Sequence, residues 1–192
     1  MISVTPRGVT EYWVQQVGPE GWYRGDPELD AAIRAKYLDA WEVARQGGME
    51  HWRASGPGAL AYLILTDQFP RNMFRDDARA FATDGLARAA AKTGIDRGWD
   101  LATPEPERQF FYLPLMHSEN AEDQERAVRL CLTRMPRTGA STLLHARAHR
   151  EVIRRFGRFP YRNAALGRET TGAEQGFLDA GGYGAVVRDL QG

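Results

Sequence analysis

Features that the sequence lacks already limit what this chain is expected to be. Its single cysteine, Cys131, cannot form an internal disulfide. No apolar run reaches the length of about 18 residues that a membrane span needs. Residues 1–10 lack the charged and apolar regions of a secretory signal. We therefore expect a cytoplasmic protein with no membrane partner.

Sequence patterns of several common functional classes are also missing. The sequence contains no GxGxxG or GxxxxGK[ST] loop for nucleotide phosphates, no HExxH zinc motif and no GxSxG elbow. His145 and His149 lie one helical turn apart, but paired histidines on an arginine-rich helix are more often solvated or bonded within the core. We therefore predict no metal and no cofactor.

Lysine is scarce, since arginine supplies 23 of the 25 basic residues, and the net charge is zero. The charges are unevenly distributed, because residues 126–168 contain eleven arginines and one acid, Glu151. Such a block can attract an anionic partner or face the acidic N-terminal part of the same fold. We favour the second interpretation and predict no nucleic-acid partner, because no nucleic-acid motif accompanies the basic residues.

The patterns that are present are helical. Thr5-Pro6, Asp26-Pro27 and Thr103-Pro104 each pair a capping residue with a first-turn proline, which predicts three helix starts. Alternating strand patterns with hairpin signals are missing. The sequence therefore predicts an all-α protein, with residues 1–192 forming one helical domain of antiparallel helix pairs in an α-α superhelix.

Two helices carry specific predictions. Residues 58–68 are apolar nearly all round, so this helix should be central, and Pro70 should end it because a proline disfavours helical geometry in the residue before it. In the helix after Asn120, four residues are predicted to face inward, with Cys131 as a buried, unreactive thiol. These four residues are Ala127, Val128, Cys131 and Leu132.

Three polar segments interrupt the apolar pattern, and they carry the candidate site. They are LILTDQFPRNMFR at residues 63–75, LPLMHSE at 113–119 and RFPYRN at 158–163. Polar groups at the end of a buried run are costly unless they are paired, so these side chains need partners or a ligand. The predicted ligand-binding residues are Asp67, Gln68, Arg71, Asn72, Arg158, Arg162 and Asn163. The predicted catalytic residues are His117, Glu119 and His149.

The two Arg-Asn segments are expected to meet in space, because their donors need acceptors and each segment follows a predicted helix end. Three functions remain open. The leading one is a pocket for a small anionic ligand or an acidic peptide end, since arginine recognises carboxylate and phosphate. The second is a hydrolase or lyase in which a histidine is the general base. The third is a scaffold that binds a protein partner, with the polar segments serving only as interhelical struts.

These segments also carry a family resemblance. LILTDQFPRNMFR, YLPLMHSE and RRFGRFPYRNAALGR, in this order, resemble the bacterial family called domain of unknown function 924 over nearly the whole length. The chain differs from the family pattern at Met116, where related chains often have an acid, and at Tyr161, where they often have a histidine. The resemblance implies an all-helical, tetratricopeptide-like fold, and it implies no activity.

Overall fold

The computed structural model describes residues 4–192, which are 71% helical and contain no strand. The predicted all-α class is therefore confirmed, whereas the superhelical arrangement stays a prediction. Within the described residues, no helix combines the length and apolar character that crossing a bilayer requires. The α-helices are α1 Pro6–Thr10, α2 Pro27–Arg45, α3 Gly56–Leu63, α4 Phe69–Met73, α5 Asp84–Asp96, α6 Trp99–Ala102, α7 Leu113–Met116, α8 Ala121–Arg134, α9 Ala140–Phe156, α10 Gly172–Asp179 and α11 Gly182–Asp189.

Two of the three predicted cap-plus-proline starts are confirmed. Thr5 accepts a hydrogen bond from the Gly8 amide at the start of α1, and Asp26 caps α2 in the same way. The helix predicted from Thr103 is wrong, because the chain instead forms a 3₁₀ helix over Glu107–Phe111. A second proline, Pro106, disfavours helical geometry in Glu105, the residue before it, so a helix begun at Thr103 is interrupted in its first turn.

Large aromatic side chains fill the main core around α2 and the central helical segment. Trp13, Tyr37 and Phe69 are inaccessible to solvent, and the ring of Phe69 lies 4.5 Å from that of Tyr37 and 5.4 Å from that of Trp13, centroid to centroid. Trp41 and Trp52 are also buried. This packing holds the segment that carries Asp67 at the centre of the molecule.

The prediction that Pro70 ends the central helix is wrong. Helix α3 continues through a π-helical turn, Ile64–Gln68, directly into α4, with Pro70 in its first turn. Proline cannot donate to the carbonyl four residues earlier, that of Thr66. The hydroxyl of Thr83 donates to this carbonyl instead, at 2.6 Å. The extra residue of the π turn and this side-chain donor together let the helix pass the proline.

Thr83 should therefore contribute measurably to stability. Replacing it with valine, which has the same shape, should lower the free energy of unfolding by about 1–3 kcal/mol, because the buried Thr66 carbonyl loses its donor. Thr83→Ser, which keeps the hydroxyl, is the control and should lose less. Urea unfolding measures both variants, and equal losses would contradict this role of the hydroxyl.

Helix α8 buries three of the four residues predicted to face inward. Ala127, Val128 and Cys131 are buried, and burial raises the pKa of the Cys131 thiol to about 12. The prediction for Leu132 is wrong, because this residue is 56% exposed. A helix advances about 100° per residue, so Leu132 lies beyond the face that Gln124 and Cys131 bury.

The C-terminal helices pack separately from the main core. Residues of α9 and α11, with Phe159, form a second and smaller hydrophobic cluster that includes Val152, Ile153 and Val186. Thr171 begins α10 with a capping box, in which its hydroxyl and the carboxylate of Glu174 each accept a backbone N–H of the other residue. This arrangement brings Tyr183 on α11 against the histidines of α9.

Candidate active site

The centre of the candidate site is a hydrogen-bonded pair of side chains from two distant segments. Asp67, in the π turn, is 1% exposed, and its Oδ1 accepts a hydrogen bond from Nδ1 of His117 at 2.8 Å. His117 follows α7, and its backbone N–H donates to the carbonyl of Leu113. Gln68 donates to the other carboxylate oxygen of Asp67 at 2.5 Å. The carboxylate thus fixes both the orientation and the tautomer of the imidazole.

The electrostatics of this pair keep the aspartate charged and the histidine neutral. Burial alone would raise the pKa of Asp67, but the attraction of His117 and Arg71 and the two hydrogen bonds hold that pKa below its ordinary value. Burial lowers the pKa of His117, Arg71 lowers it further, and Asp67 only partly opposes them. At neutral pH, His117 is therefore an uncharged imidazole whose proton is on Nδ1.

The two Arg-Asn segments meet, as the sequence predicts, although the carboxylate that joins them is Asp84. Nη1 of Arg71 lies 3.0 Å from Oδ1 of Asp84, and Nη1 of Arg162 lies 3.6 Å from Oδ2 of the same carboxylate. Arg162 also donates to the backbone carbonyl of His117 at 3.1 Å. Its guanidinium lies over the rings of Phe81 and Phe159, 4.6 and 4.4 Å from their centroids. Arg162 thus holds the backbone of His117 in place.

Among the described residues, carboxylates offset the positive charge at this junction, so the charge surplus that an anion pocket would need is missing. Arg71 has carboxylate partners in both Asp67 and Asp84, and Asp84 also faces Arg162. Glu119 lies near the junction, but it binds Arg168 and the backbone N–H of Phe159.

The remaining predicted ligand-binding residues point to other partners. Asn72 donates to Asp30 of α2 at 2.8 Å. Arg158 and Asn163 both donate to Glu174, the capping residue of α10, at 2.6–2.8 and 3.3 Å respectively. These contacts attach α2 and α10 to the rest of the fold, and none of them involves Asp67 or His117.

A cavity of about 200 Å³ lies beside His117. Of the predicted site residues, only His117 and His149 line it, and none of the seven predicted ligand-binding residues does. Leu113 and Met116 form an apolar part of the wall. The lining residues are Tyr23, Gln109, Leu113, Met116, His117, Ser141, Thr142, His145 and His149.

His149 lies in a second hydrogen-bonded chain on the wall of the cavity. Its Nδ1 donates to the backbone carbonyl of His145 at 2.8 Å and lies 3.1 Å from the hydroxyl of Tyr183. The same hydroxyl is 2.6 Å from Nδ1 of His145. Burial lowers the pKa of His149 well below its ordinary value, and the neighbouring His117 lowers it further. The rings of His117 and His149 lie 6.0 Å apart, centroid to centroid.

Sequence reasoning missed several residues of this site. The hydroxyl of Tyr23 donates to Gln109 at 2.5 Å and helps to enclose the cavity, and Tyr183 contacts both histidines of α9. No local pattern marks these tyrosines, because each acts through a contact with a distant segment. The position of Asp84 at a helix start predicts only a favourable charge near the helix N-terminus.

Comparison with known proteins identifies the family. A family model described as "Bacterial protein of unknown function (DUF924)" matches residues 9–182. The chain belongs to this family. A solved structure of a protein of unknown function, ATU0120 from Agrobacterium tumefaciens, is 38% identical, with a TM-score of 0.84, over 91% of this chain and 96% of that chain. No curated protein matches. The family model thus establishes membership of DUF924, and the site must be interpreted from its chemistry.

Proposed function

We propose that this protein binds a small molecule in the cavity beside His117, and that His117 acts as a general base on it. The observation that supports this proposal is the Asp67–His117 pair, with an Nδ1–Oδ1 distance of 2.8 Å, on the wall of the cavity. Nδ1 holds the proton, so Nε2 is free to accept one from a substrate or from a water molecule. Hydrolysis and elimination both begin with such a step.

The size and lining of the cavity restrict the substrate. Its volume of about 200 Å³ is below the roughly 300–1,000 Å³ that is common for pockets of drug-sized ligands. Leu113 and Met116 offer apolar contact, and the hydroxyl groups of Ser141 and Thr142 lie on the same wall. These features favour a compact metabolite with one apolar side.

A second candidate function is the anionic ligand, or acidic peptide end, that the sequence predicts. Arg162 favours it, because its buried Nε has no hydrogen-bond partner among residues 4–192. Against it, Asp67 and Asp84 already offset the charges of Arg71 and Arg162. The scaffold alternative is supported by the same paired charges, since it expects the polar segments to bind each other, but it gives no role to the cavity.

A thermal-shift screen with a library of small metabolites tests the leading proposal. A ligand at 100 times its dissociation constant should stabilise the protein by about 2.7 kcal/mol. NMR spectroscopy then follows each bound compound for conversion, and His117→Gln should slow that conversion by about 10²–10⁴-fold. Exposed His51 supplies the matched control, His51→Gln, which should convert at the wild-type rate. Conversion that survives in His117→Gln would contradict the assignment of the base.

A further inference from the structure

The tautomers of two histidines define what the cavity presents to a ligand. Nδ1 of His117 faces a carboxylate, and Nδ1 of His149 faces the backbone carbonyl of His145. A carboxylate and a carbonyl can only accept hydrogen bonds, so each Nδ1 holds the proton. The Tyr183 hydroxyl, 3.1 Å from Nδ1 of His149, accepts there as well, and it donates its own proton to Nδ1 of His145 at 2.6 Å. A neutral imidazole has one ring proton, and therefore both Nε2 atoms have bare lone pairs.

Both lone pairs lack a partner within the described part of the chain. None of residues 4–192 donates a hydrogen bond to Nε2 of His117 or of His149, and both rings line the cavity. The ring centroids are 6.0 Å apart at an interplanar angle of 65°, so one small ligand can contact both rings. Since buried polar groups are stable when they are hydrogen-bonded, a ligand that covers both Nε2 atoms must supply hydrogen-bond donors.

The charges around the two rings keep them neutral near pH 7. Burial lowers the pKa of both histidines, and the cationic Arg71 and Arg162 oppose a further positive charge. The titratable and charged groups that face the two rings are Asp67, Arg71, Asp84, His145, Arg162 and Tyr183. Within the described part of the chain, the side chains that line the cavity itself include no carboxylate, lysine or arginine.

We propose that the cavity recognises its ligand through a pair of N–H donors on a planar, uncharged amide group, which the Nε2 atoms of His117 and His149 accept. Leu113 and Met116 contact the apolar remainder of the ligand. A carboxylate of the same shape would place its oxygen lone pairs against the Nε2 lone pairs of the neutral imidazoles, so it should bind more weakly. This inference rests on the proposed ligand cavity, but it does not depend on proton transfer by His117.

Three compounds of nearly the same shape test the proposal on the wild-type protein. Benzamide presents uncharged N–H donors, benzamidine presents N–H donors with a positive charge, and benzoate presents only acceptors. Their binding is measured near neutral pH by NMR of protein with ¹⁵N-labelled histidines, at about 1 mM ligand, a concentration that detects millimolar affinity. We expect benzamide to bind at least about tenfold more tightly than benzoate, with the Nε2 resonances of two histidines shifting. Benzamidine should bind more weakly than benzamide, because Arg71 and Arg162 oppose its positive charge.

Two results would overturn this ligand class. One is that benzoate binds as tightly as benzamide near neutral pH, and the other is that none of the three compounds binds. The ¹⁵N spectrum of the free protein is a further check that needs no variant, because it must show two histidines with an unprotonated Nε2. A spectrum in which either of the two has its proton on Nε2 also overturns the proposal.

A variant separates this inference from the proposed base function. His149→Phe removes one acceptor and keeps an aromatic ring, and it should reduce the preference for benzamide over benzoate by about tenfold. Circular dichroism checks its fold, and His51→Phe is the control at an exposed site. If amides bind but His117→Gln still converts the compounds found by the screen, the base assignment is wrong and the ligand class stands. If carboxylic acids bind instead and their conversion requires His117, the ligand class is wrong and the base assignment stands.

Discussion

Replacing Asp84 with alanine should lower the free energy of unfolding by about 3 kcal/mol, the scale for breaking a buried charge pair. The reason is that Arg71 and Arg162 share this one carboxylate, and both keep most of their surface buried. Among residues 4–192, the variant leaves Arg162 with only the His117 carbonyl as a hydrogen-bond acceptor. Urea unfolding followed by circular dichroism measures the loss.

The same helix supplies a matched control. Asp96, at the other end of α5, pairs with Arg126 but is 67% exposed as a side chain. Exposed ion pairs contribute about 0–1 kcal/mol, so Asp96→Ala should have little effect. In a double-mutant cycle, Arg162→Ala should cost less in the Asp84→Ala background than in the wild type. If the losses of unfolding free energy in the two single variants simply add in the double variant, Asp84 and Arg162 do not stabilise each other, which would contradict the prediction.

The second large effect should come from pH. The protein should lose stability as pH falls from about 7 to about 5, because the unfolded chain takes up histidine protons near pH 6.5 while the folded chain does not. Burial lowers the pKa of His117, His145 and His149 in the folded state. The unfolded state therefore binds more protons in this range. The loss is up to about 1.4 kcal/mol per pH unit for each proton difference.

His149→Gln tests this origin, because it removes the histidine whose pKa burial lowers most clearly. The variant should show a shallower dependence of unfolding free energy on pH, even if its stability at neutral pH falls through the lost bond to the His145 carbonyl. His51→Gln, at an exposed position, should keep the slope of the wild type. The same slope in His149→Gln and wild type would contradict the prediction. The carboxylates Asp67 and Glu119, whose pKa values are lowered, contribute only at more acidic pH.

The sequence predicts those parts of this protein that depend on near neighbours in the chain. The caps at Thr5 and Asp26 act over two or three residues, and the burial of Cys131 follows from helical periodicity. The meeting of the segments around Arg71 and Arg162 could also be predicted, since many buried donors require acceptors. In each of these cases the physical requirement is visible within a short window of sequence.

The features that the sequence does not predict depend on which of several chemically similar partners a side chain meets in the fold. Asp67, Asp84 and Glu119 were all chemically suitable acceptors for Arg162, and only packing decides that Asp84 faces it and that Glu119 binds Arg168 instead. The wall of the cavity likewise needs Tyr23, which is 86 residues from its partner Gln109. The π turn at Asp67 depends on a donor from Thr83, which lies after the helix has ended.

The π turn also determines which changes of chain length the site can tolerate. An α-helix advances about 100° per residue. Deleting one neighbour of Asp67 within Ile64–Gln68 would therefore change the angle between Asp67 and part of its helix by about that amount. Asp67 could then no longer face His117 while the whole helix keeps its packing. Such a deletion would separate the acid from the base without altering a single side chain in the site. In relatives of this protein, the number of residues between Leu63 and Phe69 should therefore be kept more strictly than their identities. An alignment of relatives would reveal the site as a segment without gaps.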